Sequence, residues 1–173
     1  MVIKFKKLHP DAIIPAYQTD GSAGFDLHAL EFTRLNSDRG IVMVRTGLAV
    51  ELPAPVDVKL YGSDFLESLG CASERQTIHY ELQIRPRSGL SKKGIIIVNS
   101  PGTIDSDYRG EIQIMMRLLH GDRREQQPDR REIEKGDRIA QGIVNMIVKP
   151  TITEVESLSE TVRGENGFGS TGR

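Results

Sequence analysis

Apolar residues recur along this chain in short, mostly β-branched runs that are separated by turn-forming residues. In the run EIQIMMRLL the side chains of Ile112, Ile114 and Met116 fall on one face of an extended backbone, whereas Gln113 and Arg117 fall on the other. Six further runs are also read as strands: VIKF, GIVMVRTGLAVEL, VDVKL, TIHYELQI, GIIIV and RIAQGIVNMIV. Because Gly, Pro, Asp and Asn lie between the runs, the pattern predicts many short strands in a sandwich or a barrel.

Helix is predicted in one short segment, GSDFLESLG at residues 62–70. Ser63 suits the N-terminal cap, Glu67 lies near the first turn, and Gly70 suits the C-terminal end. The segment is short, so the helix has one or two turns at most. The chain is therefore predicted to be all-β with little helix.

The composition indicates an ordinary globular protein of one domain. The chain has 173 residues, of which 27% are charged and 38% are hydrophobic, and its formal net charge is -1. These values exclude a disordered chain and a generally basic nucleic-acid binder. The charged segment 120–135 is read as a solvated loop, since from Asp122 to Lys135 five acidic residues offset five basic ones. An anionic ligand would therefore have to be held by local groups.

Three features lead us to expect a cytoplasmic protein without a membrane segment. Cys71 is the only cysteine and cannot form an intramolecular disulfide, and the N-terminal MVIKFKKLHPD has no apolar run of the signal-peptide kind. The longest aliphatic run, Ile95 to Val98, is too short to cross a bilayer. We expect neither a membrane nor a nucleic acid among the partners.

The segment NSPGTIDSDYRGEI, residues 99–112, carries the densest candidate chemistry. It follows the run GIIIV and begins with turn residues, so Ile104 to Tyr108 are expected to project from a tight hairpin. Asp105, Asp107 and Tyr108 would then lie on a rigid support. The alternative is that both aspartates serve only as turn residues, which is a common use of Asp.

A second segment, RPRSGL, suits a phosphate group. Arg87 supplies fixed donors, Ser88 supplies a hydroxyl, and Gly89 lets the backbone approach a ligand closely. The segment is not a Walker loop, since the glycine-lysine-serine order is missing. A plain polar turn is the alternative, because Arg and Gly are common in loops.

Three further segments are ambiguous when each is taken alone. AGFDLHA places Asp26 among apolar neighbours in a strand, where a carboxylate more often joins a structural ion pair than binds a ligand. KGDRIAQG places Arg138 and Gln141 at the start of an apolar strand. The C-terminal RGENGFGSTGR combines Arg163 and Phe168 with hydroxyls and with glycines whose amides can converge on an anion, or it is a disordered end.

Together, five segments resemble the deoxyuridine triphosphatase (dUTPase) family, in the family's order and over nearly the whole chain: AGFDLHA, RPRSGL, GTIDSDYRGEI, KGDRIAQ and RGENGFGSTG. The resemblance implies a mainly antiparallel β-sandwich of jelly-roll type, assembled as a homotrimer with active sites between subunits. It also implies Mg²⁺-assisted attack of water on the α-phosphate of dUTP, which yields dUMP and pyrophosphate. Such an enzyme keeps uracil out of DNA and supplies dUMP for thymidylate synthesis.

The resemblance assigns the nucleoside side of the site to one segment. Asp105 would be the general base that activates the attacking water. Tyr108 would lie under the deoxyribose and leave no room for a 2′-hydroxyl. Asn99, Gly102 and Thr103 would read the uracil edge, partly through backbone groups.

The resemblance assigns the phosphates to the other segments. Ser88, Gly89 and Gln141 would hold phosphates, while Arg87 would orient their turn. The C-terminal arm would clamp the terminal phosphate and stack on the base through Arg163, Phe168, Gly169, Ser170 and Thr171. Mg²⁺ would be held mainly by the phosphates and water, with Asp26 as an outer-shell partner at most.

The expected organisation is a β-rich domain over residues 1–160 and a glycine-rich arm over 161–173 that closes over the site. Residues 54–79 form an insertion relative to the family, and its role is open. Two alternatives for the function are a dCTP deaminase of the same fold and a nucleotide-binding regulatory protein without turnover. The intact IDSDYRG segment and the intact arm favour the triphosphatase.

Overall fold

The computed structural model describes residues 1–59, 75–119 and 130–165. Within these ranges the chain forms twelve strands and one four-residue helix. The strands are β1 (Lys4–Lys7), β2 (Phe25–His28), β3 (Thr33–Asn36), β4 (Val42–Arg45), β5 (Leu48–Glu51), β6 (Val56–Lys59), β7 (Arg75–Arg85), β8 (Ile95–Ile97), β9 (Gly102–Ile104), β10 (Gln113–Leu118), β11 (Arg130–Ile133) and β12 (Arg138–Val148). The helix, α1, spans Ser88–Ser91. The prediction of an all-β chain with little helix is confirmed.

The strands form two main antiparallel sheets. The larger sheet has five strands in the order β2-β12-β7-β6, with β9 also paired to β7. The smaller sheet has the order β4-β10-β8, and two further pairs join β1 to β5 and β11 to β3. The long strand β12 runs beside β7 from Gln141, opposite Arg85, to Val148, opposite Ile78. These two strands form the frame on which the candidate site is built.

Strand β10 illustrates how the sheets enclose the core. Ile114, Met116 and Leu118 are at most 2% exposed, whereas the intervening residues face outward. Successive side chains of an extended strand point to opposite faces, so this period of two buries one face completely. Removal of that apolar face from water stabilises the packed sheets.

The run GIVMVRTGLAVEL forms two strands rather than one. Gly47 lies between β4 and β5 with a φ of +68°, which is a left-handed conformation. A Cβ at this position would lie 3.0 Å from Cβ of Ala12 and 3.1 Å from the Leu30 side chain, so the backbone approaches the core closely. Glycine is therefore required at the turn that separates the two strands.

Three strands lie outside both the predicted runs and the AGFDLHA segment, which is also predicted to be in a strand: β3, β9 and β11. β3 and β11 pair with each other, and each contributes one buried apolar side chain, Leu35 and Ile133 respectively. Such short and mostly polar strands carry no clear apolar alternation. The prediction of a solvated loop over 120–135 is therefore wrong for residues 130–133, and residues 120–129 lie outside the described residues.

The tight hairpin predicted after GIIIV is also wrong. β8 pairs with β10 in the smaller sheet, whereas β9 pairs with β7 in the larger one. Residues 98–101, which include the cis Ser100–Pro101 peptide bond, therefore carry the chain from one sheet to the other. The following loop still projects from a supported strand, because Ile104 lies opposite Leu82.

Part of the insertion predicted for residues 54–79 extends the larger sheet. β6 pairs with the first half of β7, and Val56 lies opposite Ile78. Residues 60–74, which contain the predicted helix at 62–70, lie outside the described residues. The division into a domain and a C-terminal arm stays a prediction. No helix in the described ranges has the length and apolar character needed to cross a membrane.

Candidate active site

A buried carboxylate lies between two arginines at one end of the larger sheet. Asp26 of β2 is 6% exposed, its Oδ1 atom lies 2.8 Å from Nε of Arg87, and its Oδ2 atom accepts a hydrogen bond of 3.2 Å from Nη1 of Arg138. Arg87 also donates from Nη1 to the backbone oxygen of Arg138 at 3.0 Å. The prediction that Asp26 joins a structural ion pair is confirmed. One carboxylate against two guanidinium groups leaves this arginine cluster with a formal positive charge, which suits an anionic ligand.

The arginine cluster borders an open cleft of about 380 Å³. The loop 18–24, the start of α1 and the start of β12 line the cleft, and its walls include Ser22, Ser88, Gly89 and Gln141. Nothing lies within 4 Å of the position that a Cβ would take at Gly89, so the backbone there faces open space. A phosphate can therefore approach this turn closely.

Gln141 is held in place at the wall of the cleft. It lies directly opposite Asp26 across the β2–β12 pair, so both side chains are on the same face of the sheet. Its Nε2 atom donates to the backbone oxygen of Pro86 at 2.9 Å. A Cβ at Gly24 would lie only 2.9 Å from its Oε1 atom, which explains the glycine at that position. The predicted residues that meet in this one cleft are Asp26, Arg87, Ser88, Gly89 and Gln141.

His28 lies beside the arginine cluster and adds no positive charge at neutral pH. Burial lowers the pKa of its imidazole from the ordinary value of 6.5; the Asp26 carboxylate opposes this shift, and the two arginines reinforce it. Its Nδ1 atom is buried without a hydrogen-bond partner among the described residues. The charge of the cleft is therefore set by Arg87, Arg138 and Asp26.

Asn99, Gly102 and Thr103 lie where the chain crosses between the two sheets. The Asn99 side chain packs over Gly102, because a Cβ at the glycine would be only 3.0 Å from Nδ2 of Asn99. Gly102 is buried and lies opposite Ile84 of β7, and Thr103 lies opposite Gln83. The three residues predicted to read the base are therefore close together and fixed to the larger sheet.

The loop 105–110 closes on itself through Tyr108. The Tyr108 amide donates to the backbone oxygen of Asp105 at 3.1 Å, and the Tyr108 hydroxyl donates to the backbone oxygen of Glu111 at 3.0 Å. The ring lies over Gly110, where a Cβ would be 2.6 Å from Cζ of the tyrosine. Tyr108 is therefore held in one orientation although 43% of the residue is exposed.

Asp105 and Asp107 are exposed on this loop. No group among the described residues forms a hydrogen bond or an ion pair with either carboxylate. An unpaired carboxylate is free to accept a proton from a water molecule. Because Asp105 is bonded through its backbone to Tyr108, the candidate base and the candidate sugar-binding ring share one support.

Within one chain Asp105 and Arg87 lie at different positions along the direction of β7. Ile104, next to Asp105, lies opposite Leu82 of β7, whereas Arg87 follows Leu82 by five positions. Because β7 ends at Arg85, this offset is at most about 16 Å, the length of five fully extended residues. The structure brings the predicted phosphate-binding residues together and the predicted nucleoside-binding residues together, and β7 lies between them, with Gly102 opposite Ile84 and Gln141 opposite Arg85.

Arg138 and the loop 18–24 are missing from the predicted site. The buried Asp26 needed a cationic partner, but Arg138 is 112 positions away in the sequence, so no local pattern identifies it. Arg163 lies in an exposed segment that follows β12. The other predicted residues of the arm lie outside the described residues: Phe168, Gly169, Ser170 and Thr171.

The described residues include no group of three or more His, Cys, Asp or Glu side chains that could hold a metal ion. Asp26 is the predicted outer-shell partner of Mg²⁺, but both of its oxygens face guanidinium groups. A cation at that position would meet two positive charges. These residues do not fit a resident metal ion, and a role of Asp26 toward Mg²⁺ stays a prediction.

Relatives match the chain over its whole length. The family model described as dUTPase matches residues 56–172. A deoxyuridine 5'-triphosphate nucleotidohydrolase of Wolinella succinogenes is 44% identical, and the match covers 100% of this chain and 95% of the relative. A deoxyuridine 5'-triphosphate nucleotidohydrolase of Helicobacter pylori is 40% identical over 99% of this chain and 97% of the relative.

A solved structure shares the fold. The dUTPase of Staphylococcus bacteriophage 80alpha, solved with dUpNHpp, matches with a TM-score of 0.74 at 26% sequence identity, and the match covers 99% of both chains. The family model covers most of the chain, and the similarity to the bacterial relatives extends over its full length. The chain therefore belongs to the dUTPase family.

Proposed function

We propose that this member of the dUTPase family hydrolyses dUTP to dUMP and pyrophosphate by attack of water on the α-phosphorus. The observation that carries the proposal is the Asp105 carboxylate, which is exposed and has no partner among the described residues, in one loop with the hydrogen-bonded Tyr108. Asp105 is the general base, because a carboxylate can take a proton from the water as it attacks.

The arginine cluster supports the phosphate-binding half of the proposed site. Its positive charge lies beside the open turn at Ser88 and the side chain of Gln141. Donors that are held in place before the substrate arrives stabilise charge on the phosphate oxygens without reorganising during the reaction. Asp26 contributes by holding Arg87 and Arg138 rather than by contacting the nucleotide. Mg²⁺, bound mainly to the phosphates and water, would neutralise part of the phosphate charge.

A complete site in this proposal takes residues from more than one copy of the chain. The α-phosphate must reach Asp105 while other phosphates reach the cluster at Arg87, and within one chain these two residues are offset along β7 by up to about 16 Å. The proposal is that a neighbouring copy supplies one half, so that both groups of residues reach the same nucleotide. A closed ring of three copies, as the resemblance to the family implies, would contain three equivalent sites.

An exposed apolar face supports such an assembly. Met43 of β4 lies opposite Met115 of β10 on the outer face of the smaller sheet, and both residues are exposed. Ile41 and Val98, next to the neighbouring strands, are exposed as well. A contiguous apolar patch of this kind marks an interaction surface. We expect neighbouring copies to pack on this face.

Separation of the products formed from dUTP, dCTP, dTTP and UTP tests the proposed function. We expect dUMP and pyrophosphate from dUTP alone. Ammonia released from dCTP would identify a deaminase instead, and tight binding of dUTP without any product would identify a regulatory protein. The cytoplasmic location stays a prediction from the sequence.

Replacement of Tyr108 by alanine should let the enzyme accept UTP. The ring is held over Gly110, and it would exclude a 2′-hydroxyl by its size. Its removal should lower the ratio of kcat/KM for dUTP to kcat/KM for UTP by about tenfold or more, which corresponds to about 1.4 kcal/mol. Tyr17→Ala removes another exposed tyrosine outside the loop and should leave this ratio unchanged. A wild-type ratio in Tyr108→Ala would show that the ring does not select the sugar.

A further inference from the structure

We propose that Glu111 is a positioning residue that fixes the loop 105–110 and thereby sets the preference for a deoxyribose over a ribose. This inference rests on the proposed hydrolysis of dUTP. In this proposal Glu111 does not touch the nucleotide. It acts through the Tyr108 ring, to which its backbone is hydrogen-bonded.

The Glu111 carboxylate is anchored to the turn between β4 and β5. The Gly47 amide donates to Oε1 at 2.8 Å, and Nε of Arg45 donates to Oε1 and Oε2 at 3.1 and 3.0 Å. The Glu111 side chain is only 14% exposed, compared with 43% for Arg45. Burial of a carboxylate without such partners is costly, so these hydrogen bonds tie Glu111 firmly to this turn.

The turn that receives the carboxylate is itself fixed to the core. Gly47 has the left-handed conformation and the close core contacts described above. The Thr46 hydroxyl donates to the backbone oxygen of Ile112 at 2.7 Å, and the Ile112 amide donates to the backbone oxygen of Leu48 at 2.8 Å. Ile112 is fully buried. Glu111 therefore stands at the point where the exposed loop ends and the core begins.

Two hydrogen bonds connect this anchor to the proposed reacting groups. The Tyr108 hydroxyl donates to the backbone oxygen of Glu111, and the Tyr108 amide donates to the backbone oxygen of Asp105. A shift of the Glu111 backbone would therefore tilt the ring and move the residue that carries the base. Because steric selection depends on the ring position, a small displacement should admit the larger sugar.

The test compares Glu111→Ala with the matched control Glu132→Ala. Glu132 forms a similar pair with Arg34, whose Nε and Nη2 atoms donate at 3.1 and 2.8 Å across the β3–β11 pair. Three measurements are made on each variant: kcat/KM with dUTP and with UTP, affinity for dUpNHpp and for its ribose counterpart, and Tm. Glu111→Ala should lower the dUTP to UTP ratio by about 3- to 30-fold. Glu132→Ala should leave the ratio unchanged, whatever its effect on Tm.

Two further variants separate positioning from a purely structural ion pair. Tyr108→Phe keeps the ring and removes the donor to Glu111, so it should also lower the ratio. The double variant Glu111→Ala/Tyr108→Phe should lower the dUTP to UTP ratio by no more than the larger of the two single variants, because both changes act through one contact. The proposal would be overturned if Glu111→Ala lowered kcat/KM equally for dUTP and UTP. It would also be overturned if the effects of the two single variants on the ratio added up in the double variant.

Glu111→Gln covers the case in which Glu111→Ala does not fold. Its amide oxygen can still accept the Gly47 hydrogen bond, but the charge-assisted bond from Arg45 is weakened. The ratio should fall in the same direction by a smaller factor, and an unchanged ratio would count against positioning. If the wild-type chain does not hydrolyse dUTP, the proposed function fails, whereas the ratio of analogue affinities still decides the role of Glu111.

Discussion

Asp105→Asn should keep nucleotide binding and lose turnover. The amide has nearly the size of the carboxylate but cannot accept the proton of the attacking water, so kcat should fall by about 10²- to 10⁴-fold. The fold should be unaffected, because Asp105 is exposed and no described residue pairs with its side chain. Affinity for dUpNHpp and single-turnover rates with dUTP measure the two effects separately.

Asp107→Asn is the matched control, since it makes the same change on the same loop and at a residue that is also exposed. This variant should retain most of the turnover. If the two results were reversed, Asp107 would be the base. If both variants kept wild-type rates, the base would have to lie outside this loop.

Removal of residues 161–173 should abolish activity and leave the fold intact. Residues 161–165 are exposed, and the buried core of the described chain ends at Ala140. Among the described residues the deletion therefore removes no buried side chain, and it takes away Arg163, Phe168 and the glycine-rich stretch. Phosphate donors and exclusion of water would be lost together. Circular dichroism and sedimentation check the fold and the assembly, and the dUTP assay measures the loss.

Mixing two inactive variants tests whether the arm and the base come from different copies. Asp105→Asn subunits have intact arms, and subunits without residues 161–173 have intact bases. If each arm closes over a neighbour's site, refolding equal amounts together should leave about a quarter of the sites complete under random assembly. Variants refolded separately and then mixed are the control. A co-refolded mixture as inactive as its components would show that each arm serves its own chain, and the hydrolytic function would stand.

Local patterns in the sequence determine most of the strands and the main candidate residues. The alternation from Ile112 to Leu118 predicts β10, because side chains of an extended chain point alternately to its two faces. Asp105 and Tyr108 could also be identified from the sequence, because they are neighbours within one short segment. Arg87 and Gly89 likewise belong to one turn, so a short motif is enough to find them.

Only the tertiary structure reveals which residues pair when they are distant in sequence. Arg138 is 112 positions from Asp26, and Glu111 is 66 positions from Arg45. β9 pairs with β7 rather than with the preceding β8. Such contacts depend on which strands become neighbours and in which register, and this choice leaves no periodic pattern in either segment. The offset between Asp105 and the arginine cluster along β7 also follows from that register.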